Sequence, residues 1–217
     1  MSKQSIASKV PSDSGGYSAL ILGASGLVGQ TLTTRLLNDP RYTSVTCLVR
    51  RPMASCSSKH HPVVIEFDNL QAYEGYFRVD HLYICLGTTL KSAGSKEAFR
   101  KVDFEYVHIA AQLARSQQVT SLVWISSVGA DARSRSFYLR TKGELENAIF
   151  RIPGIKGASA VRPSLLLGNR KSSRPAEQWG IRLMRWLSPL LIGRWSKYRP
   201  VSATEVAKRM MELQQFD

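Results

Sequence analysis

Tyr138 and Lys142 stand four residues apart in Tyr138-Leu-Arg-Thr-Lys142, downstream of a serine pair, Ser126-Ser127, that closes an apolar run. On a helix that spacing puts both side chains on one face, so a phenol and an ammonium can converge on one reactant. A phenol ionises near pH ~10 and is a poor acid or base at neutral pH without help. A neighbouring ammonium stabilises the phenolate and makes a tyrosine usable for proton transfer. Ser127 could then hold a carbonyl oxygen or bond the tyrosine, with Ser126 pointing into a sheet. The pair gains weight from a glycine-rich turn upstream, Gly23-Ala-Ser-Gly26-Leu-Val-Gly29.

Apolar runs alternating with helical periodicity say where these groups stand. The pattern predicts strands over 17–23, 44–49, 63–68, 81–86, 121–125 and 158–161. It predicts helices over 27–37, 96–116 and 137–150, the second with Phe99, Val102, Tyr106, Ile109 and Leu113 as its apolar stripe. Strands alternating with helices imply an α/β fold, a doubly wound parallel sheet covered on both faces. Ligands of such sheets bind at the carboxyl ends of the strands. Gly23, Arg50, Asp68, Gly87, Ser127 and Pro163 all fall at those ends, which predicts a single site. Residues 1–16 read as a disordered tail and 17–217 as one domain. Within it, 164–217 form a small substrate-side cap, with an amphipathic segment over 178–191 and a last helix over 205–213.

The glycine turn sits between a strand and a helix. Glycines there let the backbone turn tightly and approach a pyrophosphate at the helix N-terminus. Gly23, Ser25, Gly26, Leu27, Val28 and Gly29 are the expected cradle. The spacing differs from the G-x-G-x-x-G fingerprint in placing its first glycine one residue earlier. The second strand ends in Arg50-Arg51 rather than in the acid that bonds a ribose 2′-hydroxyl. A guanidinium suits a 2′-phosphate, so NADP(H) is favoured over NAD(H), although either arginine alone could be a surface charge. Asp68 could accept from an adenine amino group or cap a turn. Leu86, Gly87 and Thr88 would lie under the cofactor ribose, beside Lys142 and Pro163.

Composition narrows the classes. The 217 residues suit one well-filled core, and 43% hydrophobic content is that of a globular protein. No apolar run is long enough to span a bilayer, so no transmembrane segment is expected. The first sixteen residues contain no arginine and lack the apolar core of a secretory signal, which argues against a mitochondrial or secretory leader. Three cysteines have no metal or redox spacing, His60, His61, His81 and His108 have no ligand spacing, and a reducing cytoplasm is the expected location. No metal site is expected. The net charge of +14 is densest from Arg170 to Arg199, yet no nucleic-acid module accompanies it, and no specific nucleic-acid partner is expected. A small-molecule substrate is expected, with a protein partner or homo-oligomer left open.

The residues resemble the short-chain dehydrogenase/reductase superfamily, among its atypical members with a GxxGxxG turn. The stretches Cys85 to Asp103, Ser126-Ser-Val-Gly-Ala-Asp131, Tyr138-Leu-Arg-Thr-Lys142-Gly-Glu and Arg162 to Arg170 are similar to the Tat-interacting-protein subgroup. The resemblance runs from about Tyr17 to Leu213. It implies a Rossmann fold, an NADP(H) site and a catalytic set of Ser127, Tyr138 and Lys142. The tyrosine would exchange a proton with a substrate carbonyl or hydroxyl, while the lysine bonds the nicotinamide ribose and lowers the tyrosine pKa. Ser127 precedes Tyr138 by a shorter stretch than in the better-known reductases, and the small cap leaves the sugar-nucleotide pocket of longer epimerases incomplete. An NADP(H)-dependent oxidoreductase is the first expectation. A regulatory or scaffold protein that senses NADPH is the second, and a basic-surface nucleic-acid or membrane binder the third.

Overall fold

The computed structural model describes residues 15–155, 157–164, 166–167 and 200–216. The sequence expectations for the tail and for the segment over 178–191 lie outside the described residues, as does most of the cap.

Six parallel strands form one sheet in the order β3-β2-β1-β4-β5-β6. They are β1 (Tyr17–Leu22), β2 (Tyr42–Val49), β3 (His60–Val64), β4 (His81–Ile84), β5 (Ser121–Ile125) and β6 (Ala158–Val161). The chain winds outward from β1 to β3, then returns to the other side of β1 to begin β4. The connections leaving β1 and β4 therefore run to opposite faces of the sheet, which makes a topological switch point, where such sheets bind ligands. The backbone N–H of Cys85 donates to the Leu22 carbonyl there at 2.8 Å.

Each central strand buries both faces, which is why it reads as an unbroken apolar run. Leu20, Leu22, Leu82, Ile84, Leu122 and Trp124 pack on one side with Val107, Ala110, Leu145 and Ile149. Those four belong to α4 (Tyr106–Ser116) and α5 (Phe137–Phe150). Ala19, Ile21, Tyr83 and Val123 pack on the other with Val28, Leu32, Leu36, Val206 and Met210. These come from α1 (Leu27–Asn38) and from α6 (Ala203–Glu212). A short pair, β7 (Leu166–Leu167) with β8 (Val201–Ser202), leads into α6. The chain end is pinned across the amino-terminal edge of the sheet, where Gln214 Nε2 donates to the Leu82 carbonyl at 3.2 Å.

Two elements depart most from the sequence expectation. The third strand spans His60–Val64 rather than 63–68, and a 3-10 segment follows over Phe67–Phe77. Pro62 is accommodated within β3 because this is an edge strand, where a missing N–H costs no ladder bond. The helix over 96–116 is preceded by a short turn, α2 (Leu90–Ala93), and is itself interrupted. It comprises α3 (Lys96–Arg100), a π-helical turn over Lys101–Glu105, and α4. The extra residue in that turn rotates the buried face. Val107, Ala110, Ala111 and Ala114 lie deepest, and Val102, Tyr106 and Ile109 are half-buried. Small alanines let α4 approach the sheet closely, which a search for large apolar residues misses.

Candidate active site

The glycine turn closes the carboxyl end of β1. Gly23 has φ +86°, and a Cβ there would stand 2.7 Å from the Cys85 backbone, so both conformation and space demand glycine. At Gly29 a Cβ would lie 2.2 Å from the Gly23 carbonyl oxygen, because α1 packs directly on the turn. Gly26 differs. Its Cβ would meet only the Gly23 carbonyl, at 3.3 Å, and the rest of its side would open into the cleft. Gly26 is also the N-cap of α1, which has no side-chain cap and no acid in its first turn. Free helix N-terminal amides beside a surface kept clear of side chains fit a pyrophosphate. Ser25 is exposed, and its carbonyl accepts from Gln30 Nε2 at 3.0 Å. Arg50 and Arg51 follow β2 directly and are exposed.

The cleft is lined by Gly26, Leu27, Val28, Cys85, Leu86, Gly87, Thr88, Asp103, Ile125, Ser126, Tyr138, Lys142, Pro163 and Ser164. The carboxyl ends of β1, β4, β5 and β6 meet α5 there. Ser136 caps α5 by accepting from the Leu139 N–H, which places Tyr138 in the first turn with Lys142 one turn further in. The Tyr138 and Phe99 ring centroids lie 5.7 Å apart, a contact that holds the tyrosine ring where it lines the cleft. Burial pushes the Cys85 thiol well above its ordinary value, so it lines the cleft as an inert group.

Lys142 has a partner that helical spacing did not reveal. Its Nζ lies 2.7 Å from Asp103 Oδ1, with side chains 3% and 1% exposed. The same ammonium approaches the Ile125 carbonyl at 3.4 Å. The other Asp103 oxygen accepts from the Thr88 N–H at 2.7 Å. Asp103 stands in the π-helical turn, a distortion frequently found at functional sites. Its signal in the sequence was an acid between Phe99 and Val107, four residues from each on the buried face.

The serines exchange places relative to the sequence expectation. Ser126 is buried and lines the cleft, whereas the Ser127 hydroxyl donates to the Val128 carbonyl at 3.3 Å. Strand parity explains this. Leu122 and Trp124 face α5, so Ser126 continues on that side and Ser127 does not. Asp68 is likewise elsewhere. The third strand ends before it, and its carboxylate pairs with Lys101 at 2.7 Å and bonds the Tyr106 hydroxyl. Lys101, then Tyr106, holds that carboxyl below the ordinary carboxylate range. Asp68 does not line the cleft. Of the expected cofactor set, Gly26, Leu27, Val28, Leu86, Gly87, Thr88, Lys142 and Pro163 come together, with Gly23 and Gly29 shaping the turn behind them.

A larger cavity of about 520 Å³ opens at the opposite edge of the sheet, among Arg115, Thr120, Ile155 and Gln215. It contains no acid–base pair, and the Arg115 Nε donates to the Pro153 carbonyl. Among the described residues no cluster of His, Cys, Asp and Glu could hold a metal ion, and no helix is long and apolar enough to cross a membrane.

Strand order, switch point and glycine turn define a Rossmann-type dinucleotide-binding fold. The profile of the NAD dependent epimerase/dehydratase family matches residues 19–143. The chain belongs to that family, as an atypical short-chain dehydrogenase/reductase. It is 32% identical to the Rattus norvegicus protein HTATIP2 over 202 residues, 89% of this chain and 79% of the relative. It is 30% identical to FMP52, a mitochondrial protein of Candida albicans, over 205 residues, 91% of this chain and 88% of the relative. The solved structure of MoeE5 in complex with UDP-glucose and NAD superposes with a TM-score of 0.69 at 16% identity, over 91% of this chain and 72% of that one. At that identity the superposition shows the fold.

One expectation is overturned here. Several FMP52 relatives are named mitochondrial, which contradicts the cytoplasmic reading. Free cysteines, at positions 47, 56 and 85, do not tell one compartment with reduced thiols from another, so they had no power to choose the cytoplasm.

Proposed function

We propose that this chain is an NADP(H)-dependent oxidoreductase acting on a small carbonyl or hydroxyl compound, in mitochondria. The observation that carries the reading is Tyr138 and Lys142 in one cleft with the Gly26 cradle and the Leu86–Thr88 loop. Gly26, Leu27 and Val28 would hold the pyrophosphate on the α1 N-terminus, and Arg50 and Arg51 the 2′-phosphate. The nicotinamide supplies or accepts the hydride. In the reducing direction Tyr138 donates its hydroxyl proton to the substrate oxygen as the carbonyl carbon receives hydride. Ser126, rather than Ser127, would donate to that oxygen and hold it against Tyr138. Lys142 would bond the nicotinamide ribose with the donor capacity that Asp103 and Ile125 leave free.

Fluorescence titration of the protein with NADPH and NADH tests the reading. Saturable binding is expected, tighter for NADPH, and binding of neither would sink it. The double substitution Arg50→Ala, Arg51→Ala is expected to weaken NADPH about tenfold or more while changing NADH about twofold at most. Equal losses for both would count against a 2′-phosphate site. For the serines, Ser126→Ala is expected to lower carbonyl reduction by about 10²-fold. Ser127→Ala should stay within about twofold of wild type, and kcat measured on the same aldehyde or ketone decides between them.

A further inference from the structure

We infer that Asp103, through its buried pair with Lys142, sets how strongly this chain distinguishes the oxidised from the reduced dinucleotide. The inference rests on the proposed oxidoreductase reading. Hydride addition removes one positive charge from the nicotinamide ring, so any fixed charge near the ring acts differently on the two redox states. A nicotinamide ring reacting beside Tyr138 would occupy the cleft that Lys142 and Asp103 line. Lys142 alone, 3% exposed, would present an unscreened cation that opposes the oxidised ring and leaves the reduced ring nearly unaffected. The Asp103 carboxylate, 2.7 Å from that ammonium, turns a net charge into a dipole and removes most of the discrimination.

Each Asp103 oxygen faces a different donor, Oδ2 the Thr88 N–H and Oδ1 the Lys142 ammonium. An asparagine keeps one acceptor oxygen for the Thr88 N–H and turns its amide N–H₂ group toward Lys142. What an aspartate adds is a second acceptor and its charge. The two cations nearest to Asp103 along the chain are already paired. Arg100 pairs with Glu144 at 2.6 Å, and Lys101 with Asp68 at 2.7 Å. Asp103 is thus the counter-ion dedicated to Lys142, and the π-helical turn is what aims it there.

The test is the ratio of dissociation constants, Kd(NADP⁺)/Kd(NADPH), from NADPH fluorescence and its displacement by NADP⁺, repeated with NAD⁺ and NADH. Asp103→Asn leaves the lysine charge alone and is expected to raise the ratio about tenfold. For a two-electron couple that raises the potential of the bound cofactor by about 30 mV. Lys142→Gln leaves the carboxylate alone and is expected to lower the ratio by a similar factor. The double substitution D103N/K142Q is neutral, like the wild-type pair, and should return to within about twofold of wild type. A purely structural role would weaken both redox states equally and leave the ratio fixed. Should D103N fail to fold, K142Q carries the test with the opposite sign. Ratios unmoved in the single variants, or moved in the same direction, overturn the inference. Absence of any dinucleotide binding by wild type would sink the oxidoreductase reading and this inference with it.

Discussion

Tyr138→Phe is expected to lower carbonyl reduction by at least about 10²-fold while leaving the Kd for NADPH within about twofold. The substitution removes one oxygen and little else. The ring keeps its contact with Phe99, and the cap of α5 at Ser136 is untouched, so neither helix position nor cleft shape should change. What disappears is the hydroxyl of a tyrosine that lines the cleft with Lys142 and Ser126. A neutral carbonyl that accepts hydride must receive a proton as charge builds on its oxygen, and bulk water delivers one with no positioning. The measurement is NADPH oxidation across a panel of small aldehydes and ketones, with affinity titrated in parallel. Turnover unchanged in the variant would remove Tyr138 from the mechanism, whereas loss of both turnover and affinity would make its role structural.

Asp103→Ala and Lys142→Met should each destabilise the fold by about 3–5 kcal/mol. The pair is almost fully shielded, and each substitution leaves the opposite charge without a counter-ion in an interior that cannot hydrate it. That loss is a large share of the roughly 5–15 kcal/mol by which a domain is stable. Neither alanine nor methionine offers the surviving partner a strong hydrogen bond, so the penalty of the unpaired charge is expressed in full. Removing both charges together, as Asp103→Ala with Lys142→Met, should cost less than the sum, since no bare charge remains. Urea unfolding at constant slope reads each value, and a single-variant loss under about 1 kcal/mol would mean that solvent reaches the pair.

The features legible in the sequence are those set by local geometry. A glycine that must adopt positive φ at Gly23, an N-terminus left uncapped at Gly26, and a phenol and ammonium one helical turn apart all follow from spacing along the backbone. The doubly wound sheet was legible for a related reason: strands buried on both faces have to be continuously apolar. Misreadings arose where position depends on a neighbouring element. The start of β3 at His60 is allowed by its place at the sheet edge, and Asp68 is drawn away by Lys101 and Tyr106. Ser126 could have been assigned from the parity of Leu122 and Trp124, but that step requires knowing which face of β5 meets α5.

Asp103 marks the boundary most clearly. Its sequence shows an acid inside a helical stripe and nothing about its partner. Tyr138 and Lys142 were bound to share a face because 3.6 residues make a turn of any α-helix. That Lys142 closes on Asp103, and Asp103 on the Thr88 N–H, depends on how far a π-helical turn rotates the helix and how closely alanines let it approach the sheet. Spacing is a property of one segment. A buried ion pair between segments forms only when packing brings both charges out of water together, and no local pattern contains that information.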